Sequence, residues 1–125
     1  MKGPASMNHI VECLTAEYDF DTINKIVIIS TNSGVNVGSA AGWLQTELLR
    51  VTGYEYAMLP DQSGQKTITA VPLFLKNSDA VKTCSEADMI ILAEKKFRSR
   101  VNAIQLAKNT LNCIDKKIDG LLLVT

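Results

Sequence analysis

An open, doubly wound α/β sheet is the fold class that this sequence predicts, and three observations carry it. Lys25-Ile26-Val27-Ile28-Ile29-Ser30 is a continuous apolar run rich in β-branched residues, the pattern of a strand buried on both faces of a parallel sheet. Segments with helical apolar spacing lie on both sides of that run and alternate with further short apolar runs down the chain. The chain has 125 residues, of which 46% are hydrophobic and 21% charged. That suits one domain burying roughly 65–70% of its unfolded surface, which holds a core without disulfide or metal.

Residues 1–6 are too polar to pack and are expected to be a flexible lead, leaving 7–125 as a single α/β domain. Met7, Ile10, Val11, Leu14 and Tyr18 form the stripe of a first amphipathic helix, with Ser6 or Asn8 as its cap. After the buried strand, Thr31 to Gly38 is a loop rich in Gly, Asn and Ser. Ser39 is placed to cap a helix that carries Ala40, Trp43, Leu44, Leu48 and Val51 and closes at Gly53. Tyr54 to Leu59 reads as a second strand, Pro60 to Lys66 as a loop and Thr67 to Val71 as a third strand, and Ser78-Asp79 caps a short helix ending near Ser85. Met89 to Ala93 reads as a fourth strand and 94–98 as a charged loop. Ser99 caps a long helix with Val101, Ile104, Ala107, Leu111 and Ile114 inward, and Leu121 to Val124 is a fifth strand. The product is a single, mainly parallel five-stranded sheet with helices on both faces, three layers in all. Because the last strand runs to Thr125, the chain is expected to be a fragment of a longer protein.

Composition excludes several functions. Thirteen basic and thirteen acidic residues cancel, so there is no charge footprint for nucleic acid, and no apolar run reaches the roughly 18 residues of a membrane span. The zero conceals an asymmetry: three basic against seven acidic residues over 1–62, ten against six over 63–125. Cys13, Cys84 and Cys113 are odd in number, far apart and without a C-x-x-C, which points to a reduced, cytoplasmic chain with buried thiols. Met1-Lys2-Gly3-Pro4 has no apolar signal core. No group of His, Cys, Asp and Glu has ligand spacing, so no metal is expected; His9 reads as solvent-facing and Trp43 as core.

In open α/β sheets ligands bind at the carboxyl ends of the strands, above all where a strand meets a glycine loop and a helix N-terminus. Here that loop is Ser30 to Ser39. A Walker phosphate loop needs G-x-x-x-x-G-K-[ST], because amides cradle the phosphates, the Lys neutralises them and the hydroxyl holds magnesium. Gly34, Gly38 and Ser39 occupy the degenerate phosphate-loop position, and the Lys is missing. The plain reading is a β-to-α turn; the alternative is a weak anion or nucleotide site. Gly64-Gln65-Lys66-Thr67 precedes a strand rather than a helix and reads as a turn. Lys95, Lys96, Arg98 and Arg100 are the densest basic patch, either a solvated loop or a docking site for an acidic surface or a phosphate.

Three segments carry a family resemblance. Val71-Pro72-Leu73-Phe74-Leu75-Lys76-Asn77-Ser78-Asp79-Ala80 is followed by Ser85-Glu86-Ala87-Asp88-Met89-Ile90-Ile91-Leu92-Ala93, then by Phe97-Arg98-Ser99-Arg100. In this order and spacing they resemble the bacterial tyrosine kinases of capsule and exopolysaccharide export, the cytoplasmic domains of the polysaccharide co-polymerase family. Asp119-Gly120-Leu121-Leu122-Leu123-Val124 is similar to that family's next strand, so the resemblance covers roughly residues 20–125. It implies the deviant Walker P-loop fold, with strand order 2-3-1-4-5; a flavodoxin-like or receiver-like order, 2-1-3-4-5, shares the same alternation.

The family's catalytic features are degenerate here. Its Walker lysine is missing between Gly38 and Ser39, and its aspartate before Pro72 is replaced by Thr69 or Ala70, while Asp61 stands where the family has a further acidic motif. Only Pro60 to Lys66 separate the second and third strands, no Arg precedes Arg50, and the tyrosines are Tyr18, Tyr54 and Tyr56, without the family's C-terminal cluster. The resemblance therefore implies a non-catalytic, P-loop-derived interaction module in capsular or exopolysaccharide chain-length control and export, without a resident cofactor. Its expected partner is a membrane-bound export component or a second copy, met at the cytoplasmic face of the inner membrane through a region outside this chain. An ATPase or tyrosine kinase completed in trans, and a flavodoxin-like or receiver-like small-ligand module, are the alternatives.

Overall fold

The Ile-Val-Ile-Ile run forms β1 (Lys25–Ile29), one of the two inner strands of the sheet in a computed structural model that describes residues 5–31, 36–58, 65–72, 79–95 and 101–124. Its neighbours are β2 (Thr67–Val71) and β3 (Met89–Lys95), and β4 (Gly120–Val124) lies beyond β3. Among the described residues the sheet has four strands in the order β2-β1-β3-β4, every pair parallel. Parallel strands need a crossover between them. Three helices supply it in turn: α2 (Val37–Thr52), α3 (Ala80–Ser85) and α4 (Val101–Asn112), while α1 (Ala5–Glu17) precedes the sheet.

Strand alternation divides the core in two. Ile26 and Ile28 of β1, with Met89, Ile91 and Ala93 of β3, face Val11 and Leu14 of α1 and Ala40, Ala41, Leu44 and Leu48 of α2. Val27 and Ile29, with Ile90 and Leu92, face Ala80 and Cys84 of α3 and Ala107 and Leu111 of α4. The sheet is therefore covered on both sides, the expected three layers, and each fully buried Ile or Leu contributes about 1.5–3 kcal/mol relative to exposure.

Several expectations are corrected. Tyr54 to Leu59 is not a strand among the described residues: one isolated parallel bridge, Ala57 to Thr67, joins it to the outer side of β2. Its other groups are held elsewhere, the Tyr54 amide by Thr52 Oγ1 at 3.1 Å, the Tyr56 carbonyl by Gln45 Nε2 at 2.6 Å, and the buried Tyr56 hydroxyl donates to Ile23 O at 2.6 Å. The strand beside β1 is thus Thr67–Val71, and the order among the described residues is the four-stranded β2-β1-β3-β4, with the 54–58 segment joined to the outer side of β2 by that one bridge. Glu94 and Lys95 belong to β3 and not to a loop, pairing with Leu123 and Val124. α2 is capped by Asn36 and not Ser39: the extended Asn36 (φ −88°, ψ 91°) accepts the Ser39 amide on Oδ1 at 3.0 Å. Ala5 and Ser6 are helical, Val51 is exposed, Trp43 packs at the edge of the core, and of the cysteines only Cys84 is buried.

The two helix ends that follow contrast. α2 ends on Gly53 at φ 80°, whose N–H returns to Leu49 O at 3.0 Å. α4 ends in a Schellman turn, Lys116 N to Leu111 O at 2.9 Å and Asp115 N to Asn112 O at 3.1 Å, with Asp115 at φ 58° where glycine is usual. Gly53→Ala places a Cβ in the left-handed region and is expected to lower the unfolding free energy by about 1 kcal/mol, whereas Asp115→Gly is expected to leave it equal or higher. Urea denaturation of the two variants checks the opposite signs.

Candidate functional site

The carboxyl ends of β1 and β3 are the position at which a doubly wound sheet offers a ligand site, because the connections leave these two neighbours toward opposite faces. Ser30 continues β1 and is fully buried, and Thr31 follows it. Across from them, at the end of β3, Glu94 is also fully buried. Its Oε1 accepts the Thr31 amide at 2.8 Å and the Thr31 hydroxyl at 2.5 Å. The α2 N-terminus lies on the same side of the fold, where the Ser39 amide is already taken by Asn36 Oδ1. Charge-assisted bonds of this kind are about twice as strong as neutral ones, so the carboxylate fastens the end of β1 to the end of β3.

Of the residues singled out in the sequence, Gly38 and Ser39 sit in the first turn of α2, and an added Cβ at Gly38 would meet Asn36 Oδ1 at 3.3 Å. Gly34, Asp61, Lys96, Arg98 and Arg100 lie outside the described residues, as do the side chains of Lys95 and His9. Thr69 is exposed and Ala70 half-buried on β2. Asp79 stands at the N-cap of α3, where its carbonyl, not its side chain, takes the Thr83 amide and hydroxyl, both at 3.0 Å. Glu94 was missed in the sequence because a Glu-Lys-Lys run after five apolar residues reads as the start of a loop. A signal was available: Thr31 stands one residue past the buried run, where a neighbouring strand of equal depth would need a partner for it.

The opposite, amino edge holds a cleft of about 210 Å3 lined by Tyr18, Asp88, Lys116, Lys117 and Asp119, among others. Two of its carboxylates, Asp88 and Asp119, are engaged in holding the sheet. Asp88 Oδ2 accepts the Asn24 and Lys25 amides at 2.8 and 2.9 Å, and Asp119 accepts the Ile90 amide at 2.8 Å and the Tyr18 hydroxyl at 2.6 Å. The Asp119 carboxylate, with burial added, raises the Tyr18 hydroxyl above its ordinary pKa of 10.0. Burial alone pushes the Cys84 thiol from 9.0 up to about 11, so it stays protonated and is a poor nucleophile near neutral pH. Among the described residues no group of His, Cys, Asp and Glu is arranged to hold a metal ion, and no helix is long and apolar enough to cross a membrane.

No model of a known protein family matches the chain, and neither the curated proteins nor the solved structures give a significant match to it.

Replacing Glu94 by Leu leaves the Thr31 amide and hydroxyl facing an apolar group, which is expected to cost about 1–3 kcal/mol. Glu94→Gln keeps an acceptor for both donors and is expected to cost less than half as much. Chemical denaturation that ranked the two variants equally would contradict the role given to the Thr31 bonds.

Proposed function

We propose that this chain is a non-catalytic, P-loop-derived interaction module of the machinery that controls capsular or exopolysaccharide chain length and export. The observation that carries the non-catalytic reading is the Glu94 carboxylate on Thr31. The amide and hydroxyl of Thr31, two residues beyond β1 at the start of the glycine loop, are taken by the buried Glu94 side chain. Phosphate oxygens would have to displace Glu94 from the Thr31 amide and hydroxyl, with no lysine in the α2 N-terminal turn to favour the exchange. The Gly38-Ser39 step gives no cation at that point.

The bridge from Ala57 to the outer side of β2 lies where a P-loop-like order would carry a further strand, and it is the feature that favours that ancestry over a flavodoxin-like one. The polysaccharide context rests on the order of the motifs from Val71 to Arg100 and at Asp119-Gly120. In this reading the module works by contact, with a membrane-bound export component or another copy as its partner at the cytoplasmic face.

Calorimetry with magnesium-ATP, followed by incubation with γ-labelled ATP, tests the reading. The expected result is a dissociation constant no tighter than about 1 mM, equivalent to about −4 kcal/mol, and no label on the protein. Micromolar binding or self-phosphorylation of Tyr18, Tyr54 or Tyr56 would overturn it.

A further inference from the structure

Four oxygens converge on one ammonium at the amino edge of the sheet. Lys66 Nζ donates to Phe20 O at 2.8 Å, Ile23 O at 2.9 Å, Asp21 O at 3.0 Å and Asn24 Oδ1 at 3.1 Å. The Tyr54 and Tyr56 rings stand 4.8 and 5.6 Å from the same nitrogen, within the range of a cation–π contact. An ammonium has three protons, so it cannot serve four oxygens one to one. The arrangement therefore answers to charge more than to direction.

The cradle is held by bonds that do not involve Lys66. The turn between α1 and β1 is fixed by its own bonds, Thr22 N to Asp19 O at 3.0 Å and Ile23 N to Phe20 O at 3.2 Å, and by Asp88, which takes the Asn24 amide. Ile23 O is further held by the buried Tyr56 hydroxyl. Carbonyls converging in this way leave a patch of negative potential between two aromatic rings, and an empty patch would be costly in a half-buried position.

We propose that the Phe20–Asn24 turn, with Tyr54 and Tyr56, is a binding site for a primary ammonium group, whose resident occupant is the Lys66 side chain and which accepts a free alkylammonium ion when that side chain is cut back. The ligand class follows from the lining. Carbonyl and amide oxygens call for N–H donors as well as charge, so a primary amine fits and a quaternary one does not. The stem of such an ion lies where the Lys66 methylenes lie.

Thermal unfolding of Lys66→Ala in n-propylammonium chloride, the fragment that the substitution removes, tests this against equal sodium chloride and tetramethylammonium chloride. The wild-type protein and Lys66→Met, whose side chain still fills the stem channel, serve as references. The expected result is a Tm well below wild type for Lys66→Ala, most of it regained with n-propylammonium in a saturable manner, with no gain from tetramethylammonium and no change in either reference. Should Lys66→Ala be unfolded in sodium chloride, recovery of the folded circular-dichroism signal on adding n-propylammonium is the same positive result. Failure to recover, or an equal shift in all three proteins, would overturn the proposal.

Discussion

A parallel sheet with helical crossovers leaves the first amides and carbonyls of each strand without a turn to satisfy them, and in this protein one charged side chain in front of each later strand meets that need. Lys66 precedes β2 and binds the carbonyls of the turn that enters β1. Asp88 precedes β3 and accepts the amide of Asn24 and the first amide of β1, that of Lys25. Asp119 precedes β4 and accepts the Ile90 amide of β3. Each clip reaches from the entry of one strand to the entry of its neighbour, so the order β2-β1-β3-β4 is pinned along one edge. With its entry pinned, β1 brings all of Ile26 to Ile29 into register with both neighbours, and the two halves of the core follow from that register.

The other edge has a different character. There, among the described residues, Glu94 supplies a tie, placed where β1 and β3 end and where doubly wound folds recognise ligands. The two edges divide the work: the amino edge uses charges of both signs to set strand order, and at the carboxyl edge Glu94 joins the end of β3 to Thr31. That contact links the fold to the proposed function, in which Glu94 holds the groups that a phosphate would need and the domain acts as a surface for contact.

Much of the fold was legible in the sequence where burial alone decides it. The Ile26–Ile29 run, the Ala40-Leu44-Leu48 stripe and the Gly53 stop correspond to β1, the inner face of α2 and its end. The features that were not legible depend on pairings between distant residues. Tyr54 and Tyr56 alternate like strand residues, yet they serve as the walls around Lys66 and as the anchor on Ile23 O. Asn36 rather than Ser39 is the cap because α2 begins earlier than the apolar stripe indicates, at Val37, which puts the Ser39 amide within reach of Asn36 Oδ1. Glu94 reads as a loop residue until Thr31 is seen across from it. The candidate site was therefore located by position, at the end of β1, while its decisive side chain was not.

In the proposed function Glu94 holds the Thr31 groups that a nucleotide's phosphates would take. An amide-resolved NMR titration of the wild-type protein with magnesium pyrophosphate, following the Thr31 and Ser39 amides, tests it most directly. The account predicts that both signals stay in place, apart from changes shared by the whole spectrum with ionic strength. A saturable shift confined to those two amides and their neighbours, at a dissociation constant below about 0.1 mM or about −5.5 kcal/mol, would contradict it.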